Sequence, residues 1–451
     1  MKTAKLTAVL IALLLLCACG QTASPAPTPE PTPPPPVDVG GTELEPDAAR
    51  LELEKLAYDW DALLSAGSAL KQVREIDLGT LALTPQELGD LQAAYPAATV
   101  ELTALRLFDR ELRADTESLS LPDMAPARTE ELIAALPWLP ALREIDFTDG
   151  EGNCAYAVED VPRLDALRQA APEVKLDLSF TLFGQTLTSE DTRIEYQQVP
   201  IGNEGVAQFR AVLPYLGSCE YLLLDGCDID DEVMAQFRED YPEVKIVWRI
   251  WLIEPNYNSP RWMRNAGILT DCTRIRTLQI NDENCHRLRY CTETKYVDFG
   301  HNQNITDFSF LGYMPKLEVC IIAITRAHDL TPLANCPELE YLEVYSTQVT
   351  DLSPLANCTK LKHLNISRME IDDITCLYDL ELERLRCVVT HVPKEQLEEY
   401  ARLHPDCEML LAGYEPHKDG WRYDYNDRMV PRYALLREQL EIDLDHAYGI
   451  P

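Results

Sequence analysis

Four aspartates recur at one fixed spacing in the second half of the chain, and a row of carboxylates is a candidate metal-binding feature. They are Asp307, Asp329, Asp351 and Asp373, each 22 residues after the one before. A carboxylate in the loop before a helical turn also has a simpler role, because it caps the backbone N–H groups of that turn. We therefore predict that the four aspartates cap helical turns, and we predict no metal site from them.

Thiol and imidazole groups offer a second kind of chemistry. Cys272, Cys285, His286 and Cys291 have the residue types of a zinc site. Against this, four cysteines occupy one apolar position of a repeating pattern, namely Cys272, Cys291, Cys336 and Cys358. A free cysteine behaves as a small buried hydrophobe, so we predict free thiols in a core, with an oxidised Cys336–Cys358 pair as the alternative. No metal and no cofactor are predicted.

Residues 225–232 resemble a calcium loop only loosely, because the glycine that an EF-hand needs at its sixth position is missing. Motifs of common hydrolases and phosphate-binding sites are also absent: there is no G-x-S-x-G, no H-E-x-x-H and no glycine-rich phosphate loop. His363 and His391 have no nucleophile that a repeat would bring beside them. The sequence predicts that the protein is not an enzyme.

The 22-residue step belongs to a longer pattern of apolar residues. Two consecutive units show it in full, Leu333-x-x-Cys336-x-x-Leu339-x-x-Leu342-x-Val344 and Leu355-x-x-Cys358-x-x-Leu361-x-x-Leu364-x-Ile366. Units of the same kind begin at Leu269, Leu288, Leu311 and, one residue shorter, Leu377. Apolar steps of three favour a helical or 3₁₀ turn, and the closing alternation favours a strand. Each unit is one strand plus a tight return, and its apolar edge is buried only by stacking on neighbours.

This pattern resembles the leucine-rich repeat family over roughly residues 265–410. The segments that begin at Asp329 and Asp351 are similar to the short 22-residue class of bacterial surface proteins, although Cys or Met replaces some leucines. The resemblance implies an α/β fold, a leucine-rich repeat solenoid with a parallel concave β-sheet. It extends to the leucine-rich repeat lipoproteins of clostridial-type (Gram-positive) bacteria.

The N-terminal half carries the same template at a longer period. The segment Leu107-Phe108-Asp-Arg-Glu-Leu112 recurs as Leu182-Phe183-Gly-Gln-Thr-Leu187 75 residues later, and each is predicted to turn a hairpin. The predicted organisation is a signal peptide (1–19), a Pro-rich linker (20–42), irregular long-period modules (43–263), regular repeats (264–412) and a C-terminal cap (413–451). Within the cap, residues 433–444 are predicted to form an amphipathic helix that covers the last repeat.

The first 36 residues predict the cellular compartment. Lys2 and Lys5 precede an apolar run at 6–16, which is too short to span a bilayer permanently. The following Leu-Cys-Ala-Cys-Gly resembles a bacterial lipobox, with Cys19 as the lipidated residue after the small Ala18; an ordinary secretory signal is the alternative. Residues 24–36 are too proline-rich to fold and stay extended. The protein is therefore predicted to be extracytoplasmic and lipid-anchored to the cell membrane.

The charge balance limits the partners. Lys and Arg number 40 against 75 Asp and Glu, which gives a formal net charge of −35. Such a field repels nucleic acid and anionic lipid. We predict no nucleic-acid partner, contact with the membrane through the lipid anchor only, and a monomer. Solubility of a secreted protein accounts for much of the acidity.

The repeat phase predicts which side chains face a ligand. With Leu342 and Val344 inward, alternation turns Tyr341, Glu343 and Tyr345 to the concave face. Stacking the units gives three columns: Thr277, Tyr296, Val319, Tyr341, His363 and Arg384; Gln279, Asp298, Ile321, Glu343, Asn365 and Arg386; and Asn281, Gly300, Ala323, Tyr345, Ser367 and Val388.

An exposed apolar and aromatic patch with a charged rim is typical of protein interfaces. We predict that the concave face binds an extracellular protein or peptide through nine residues: Tyr296, Val319, Ile321, Tyr341, Glu343, Tyr345, His363, Arg384 and Arg386. The alternatives are a cell-wall or dietary glycan bound on aromatic faces, and a passive envelope scaffold. Cross-strand pairing on a bare sheet would explain the same residues without any ligand.

Overall fold

The computed structural model describes residues 34–252, 267–278 and 280–439. The predicted signal peptide, Cys19 and most of the linker lie outside these residues. Two units are distinguished by their internal packing: residues up to 116 together with 134–141, and residues 117–133 together with 142 onwards. Within the described ranges, no helix has the length and apolar character that crossing a membrane requires.

The first unit begins with an antiparallel pair, β1 (Val37–Asp38) and β2 (Glu43–Leu44), so the predicted linker boundary at 42–43 falls inside a hairpin. A parallel sheet follows, formed by β3 (Arg50–Glu52), β4 (Glu75–Asp77) and β5 (Thr99–Glu101). Between these strands run α1 (Trp60–Ala66) and α2 (Pro85–Ala94). Thr84 and Glu87 form a capping box at the start of α2, which fixes where that helix begins.

The unit also contains an antiparallel hairpin of β6 (Ala104–Leu107) and β7 (Arg110–Arg113), as the sequence predicts. Its two turn residues, Phe108 and Asp109, have φ of 51° and 62°. Two consecutive positive φ angles are the mark of a type I′ turn, whose twist matches that of the paired strands.

The second unit opens with a parallel sheet of β8 (Ser118–Ser120), β9 (Glu144–Asp146) and β10 (Lys175–Asp177). The second predicted hairpin follows as β11 (Ser179–Leu182) and β12 (Gln185–Thr188), with Phe183 and Gly184 at φ of 47° and 84°. Next come β13 (Arg193–Gln197), β14 (Tyr221–Asp225), β15 (Lys245–Trp251) and β16 (Gly267–Leu269), the last of which pairs antiparallel to β15. The helices of this region are α3 (Thr129–Ala135), α4 (Val161–Ala170), α5 (Gly202–Val212) and α6 (Asp231–Asp240).

The regular repeats form a seven-stranded parallel sheet. Its strands are β17 (Arg274–Arg276), β18 (Tyr296–Asp298), β19 (Val319–Ile321), β20 (Tyr341–Glu343), β21 (His363–Asn365), β22 (Arg384–Arg386) and β23 (Glu408–Leu410). Short 3₁₀ helices return the chain between successive strands from β17 to β22. In place of such a turn, α7 (Lys394–Leu403) links β22 to β23. The predicted unit of one strand plus one tight return is confirmed for β18 to β22.

Two details of the repeat prediction are wrong. In the first repeat, Ile275 rather than Leu278 pairs with Val297, and Leu278 is 48% exposed. Arg274 and Arg276 therefore take the places predicted for Thr277 and Gln279, and Gln279 lies outside the described residues. Apolar steps of three leave a repeat ambiguous by one step, which is the size of this error. The seventh strand, β23, is also not among the six predicted units.

The repeated aspartates bind the first N–H group of the helical turns, as predicted, each from the residue before the N-cap. Asp329 Oδ1 accepts a hydrogen bond of 2.8 Å from the N–H of Thr331, the first residue of a 3₁₀ helix. The same bond, at the same length, joins Asp307 to Ser309, Asp351 to Ser353 and Asp373 to Thr375. The backbone N–H of Thr375 lowers the pKa of Asp373, because the bond favours the charged carboxylate.

Three of the four cysteines predicted in one core position, Cys291, Cys336 and Cys358, are buried free thiols, whereas Cys272 is only partly buried. Cys336 Sγ donates to Leu311 O at 3.4 Å, and Cys358 Sγ donates to Leu333 O at 3.3 Å. Burial raises the pKa of Cys336 to about 12 and that of Cys358 to about 11. The twelve cysteines among the described residues are all free thiols. Across the same residues, no three His, Cys, Asp or Glu side chains converge as metal ligands would.

Candidate functional site

The parallel sheet brings the predicted site residues together on one face. One column runs through Tyr296, Val319, Tyr341, His363 and Arg384, and the next through Asp298, Ile321, Glu343, Asn365 and Arg386, all in the predicted register. Tyr345 follows β20 in the chain. The repeat phase alone therefore predicts which side chains leave the solenoid core along these five strands.

The predicted exposure of this face is wrong. All nine predicted site residues are buried: Tyr296, Val319, Ile321, Tyr341, Glu343, Tyr345, His363, Arg384 and Arg386. The cause is residues 413–439, named here the cover, which pack over the sheet. In the described structure the patch is part of an interface within the chain.

The cover follows a defined path. In its first part the Asp419 carboxylate accepts the N–H groups of Tyr414 and Glu415 at 2.7 and 2.9 Å. Gly413 has φ of +127°, and a Cβ atom there would lie 2.8 Å from Arg386 Nη2. A bridge between Tyr423 and Met429 closes a short loop, and α8 (Pro431–Gln439) completes the cover.

Side chains of the sheet bind the main chain of the cover. The bonds run from Asn365 Nδ2 to Pro416 O (2.9 Å), Arg384 Nη1 to Trp421 O (3.0 Å), Arg384 Nη2 to Gly420 O, Arg386 Nη1 to Asp419 O (3.1 Å) and Arg386 Nη2 to Glu415 O (3.2 Å). Buried carbonyl groups need such donors, because an unpaired buried polar group is costly. The concave face thus holds a polypeptide chiefly through its backbone on this side.

A buried ion pair joins the cover to the middle of the sheet. Arg422 Nε donates to Glu343 Oε1 at 2.6 Å, and Arg422 Nη2 pairs with the other carboxylate oxygen. Trp421 Nε1 and the hydroxyl of Tyr341 also donate to Glu343. Burial opposes the charge of the guanidinium, but the attraction of Glu343 outweighs it and raises the pKa of Arg422 well above its ordinary value.

Aromatic rings complete the interface. The ring centroids of Trp421 and Tyr433 lie 5.7 and 6.4 Å from that of Tyr341. Tyr296, Val319 and Ile321 belong to the same buried cluster. The predicted C-terminal helix is present up to Gln439, and residues 440–444 lie outside the described residues; Tyr433 places the helix on the concave face beside β20. The prediction that it covers the last repeat is wrong, because Tyr433 packs against Tyr341 in the middle of the sheet.

A cavity of about 220 Å³ remains beside the cover. It is lined by Arg276, Asp298, Gly300, Tyr345, His417 and Arg422, among others. Arg276 Nε lies 3.4 Å from Asp298 Oδ2, and burial raises the pKa of Asp298 despite that neighbour. A second cavity, of about 670 Å³, is lined by Cys154, Tyr156 and Ser179. Burial raises the pKa of the Cys154 thiol, which works against a role as nucleophile.

Sequence reasoning missed Trp421, Arg422 and Tyr433 as members of this site. It placed them in a C-terminal cap (413–451), with a helix from Tyr433 over the last repeat. A signal was present in the sheet itself: Val319, Ile321 and three tyrosines stood in columns predicted to lie on the exposed concave face. A contiguous apolar surface of that kind indicates that something covers it.

Comparison with known proteins supports the assignment of the repeats as leucine-rich repeats. Residues 337–379, which contain β20 and β21, match a family model described as leucine rich repeats in two copies. This part of the chain is thus a pair of leucine-rich repeats. Leucine-rich repeat proteins generally mediate protein–protein interaction and are typically binding scaffolds without enzymatic activity. No curated protein sequence matches the chain.

Several solved structures are similar to the chain at low identity. Internalin C2 from Listeria monocytogenes is 20% identical, with 51% of this chain and 86% of that chain covered and a TM-score of 0.27. A leucine-rich repeat protein from Leptospira interrogans is 15% identical, with 81% and 90% covered and a TM-score of 0.30. A plant peptide hormone receptor, solved in complex, is 14% identical, with 77% and 48% covered and a TM-score of 0.24. At these TM-scores the similarities carry no argument about function.

Proposed function

We propose that the protein binds another protein or a peptide through its concave face and works outside the cytoplasm. The observation that carries the proposal is the capture of backbone carbonyls by Asn365, Arg384 and Arg386. Donors spaced along successive strands suit a polypeptide, which presents a carbonyl at every residue. The nine residues predicted from the repeat phase are the proposed binding residues. The cover occupies the concave face until a partner displaces it.

The proposal includes a lipid anchor on Cys19, so that a monomer is held at the outer surface of the cell membrane. Its support is the resemblance of residues 16–20 to a lipobox, followed by a proline-rich stretch that stays extended. The resemblance to lipoproteins of clostridial-type bacteria favours the same location. Incorporation of labelled palmitate into the full chain, and its loss in Cys19→Ala, tests the anchor. Labelling that persists in Cys19→Ala would contradict it.

Binding is tested with the full chain in two forms, wild type and Trp421→Ala/Arg422→Ala, which loosens the cover and changes no residue of the sheet. Both are screened against purified extracellular proteins, a peptide library and a glycan array. The proposal expects the loosened variant to bind polypeptides more tightly than wild type does. This polypeptide binding should be lost when Arg384 and Arg386 are also replaced by alanine.

Two results would argue against the proposal. Binding to glycans alone, dependent on Tyr341 and Tyr345, would favour the glycan-binding alternative. Retention of polypeptide binding after loss of both arginines would place the binding surface elsewhere on the chain. Circular dichroism of each variant establishes that the sheet is folded before binding is measured.

A further inference from the structure

The contacts of the cover define the kind of polypeptide that the concave face accepts. We infer that its partner carries an aromatic residue followed directly by arginine, and that Trp421 and Arg422 of the cover are the internal counterpart of that pair. The inference rests on the proposed function, because it names the partner of the same face. It is carried by three groups of contacts.

The first is the place for the arginine. Glu343 is fully buried at the middle of the sheet, and both its oxygens pair with the guanidinium of Arg422. A planar guanidinium meets a carboxylate with two parallel bonds, and a lysine ammonium does not. A fully buried carboxylate also excludes a partner that would bring an acidic group to this position. The geometry therefore selects arginine.

The second is the place for the aromatic ring. The indole of Trp421 is 2% exposed, and its Nε1 donates to Glu343 Oε1 at 2.9 Å. The ring lies against Tyr341. The guanidinium carbon Cζ of Arg384 lies over the ring, 5.5 Å from its centroid, in a cation–π contact. Trp, Tyr and Arg are enriched among the few residues that carry most of the binding energy of interfaces. Tryptophan alone among the aromatic residues supplies the N–H donor for the carboxylate.

The third is the backbone that precedes the pair. Arg384 and Arg386 bind carbonyl groups of residues 415–421, a contact that places no demand on side chains. By contrast, the side chains of Tyr414 and Tyr425 are 82% and 79% exposed. A partner thus needs a turn before its aromatic–arginine pair and tolerates variation at the positions equivalent to Tyr414 and Tyr425. Main-chain bonds provide affinity, and the two pockets provide specificity.

The test separates the cover from the sheet after folding. A protease site inserted between Leu411 and Ala412, both exposed, allows the purified full chain to be cut while the cover stays in place. Labelled peptide 413–439 is then exchanged onto the cut chain and competed with unlabelled variants of the same peptide. If the cut cover does not exchange, the labelled peptide is bound instead to the full-chain variant Trp421→Ala/Arg422→Ala. The same unlabelled peptides then compete for that binding.

Peptides with Trp421→Ala or Arg422→Lys are expected to compete about thirtyfold more weakly than the wild-type peptide, the loss typical of an interface hot spot. The matched control, Tyr425→Ala, is expected to compete as well as wild type. Equal competition by all four peptides would overturn the inference and leave the proposed function intact. Failure of every peptide, and of a polypeptide library, to bind either folded form would overturn both.

Discussion

Arg422 and Glu343 are 79 residues apart in the chain, yet Arg422 Nε lies 2.6 Å from Glu343 Oε1 and the carboxylate is fully buried. The sheet supplies the negative charge and the cover supplies the positive one. A buried charge without its partner is strongly destabilising, so each half of this pair makes the other tolerable. The pair thereby couples the stability of the sheet to the presence of the cover.

Loss of the arginine should expose that coupling. Arg422→Ala leaves the Glu343 carboxylate buried without its guanidinium, and we expect a loss of about 3–5 kcal/mol in the free energy of unfolding. Urea denaturation measures it. Arg428→Ala, on an exposed residue of the same segment, is the control and should change stability by less than about 0.5 kcal/mol. A loss in Arg422→Ala no larger than in the control would mean that the ion pair does not hold the cover.

The indole nitrogen of Trp421 should matter separately from its ring. Trp421→Phe keeps an aromatic ring against Tyr341 but removes the bond to the Glu343 carboxylate, which costs about 1.5–3 kcal/mol. Trp421→Ala also leaves a cavity and should cost about 3–5 kcal/mol. Thermal unfolding of the two variants beside wild type gives the order. If phenylalanine is as harmful as alanine, packing of the ring contributes little.

Asp298 should give the fold a pH dependence of known sign. Burial raises its pKa above the ordinary value even with Arg422 and Arg276 nearby, so the folded state binds the proton more tightly than the unfolded state does. Its contribution to stability therefore falls as pH rises from the ordinary value through the raised one, and is level above that. Urea unfolding between pH 4 and 8 should show this decline as the difference between wild type and Asp298→Asn. If the stability of wild type relative to Asp298→Asn increased with pH instead, the raised pKa of Asp298 would be contradicted.

The aspartate caps can be tested with neighbouring residues. Asp373 Oδ1 accepts the N–H of Thr375 at 2.8 Å, so Asp373→Ala should cost about 0.5–2 kcal/mol, as loss of a cap usually does. Asp372 is also exposed and carries the same charge, which makes Asp372→Ala a matched control. We expect no more than about 0.5 kcal/mol from the control. Equal losses would attribute the effect to charge and not to capping.

The sequence predicts those parts of the structure whose contacts repeat at short, regular separations along the chain. The repeat period is local, so it predicts the strands β18 to β22, their register and the burial of Cys336 and Cys358. The same local pattern is ambiguous by three residues at Ile275 and Leu278, where no neighbouring repeat precedes it to fix the phase.

The cover could not be predicted in the same way. The cover lies outside the periodic part of the sequence, and its contacts join Arg422 to Glu343 and Trp421 to Tyr341, some 80 residues earlier in the repeats. The amphipathic pattern after Tyr433 predicts an apolar face, but it does not tell which surface that face will meet. The aromatic residues on the concave face indicate the surface that the helix meets.

The central claim, that the concave face binds polypeptide through its main chain, is tested most directly by the affinity of labelled peptide 413–439 for the cut full chain. With Arg384→Ala or Arg386→Ala in the sheet, we predict binding at least about tenfold weaker, because each arginine bonds two carbonyl groups of the peptide. Lys360→Ala, on an exposed residue of the same repeats, should leave the affinity unchanged. Unchanged affinity in both arginine variants would contradict the claim.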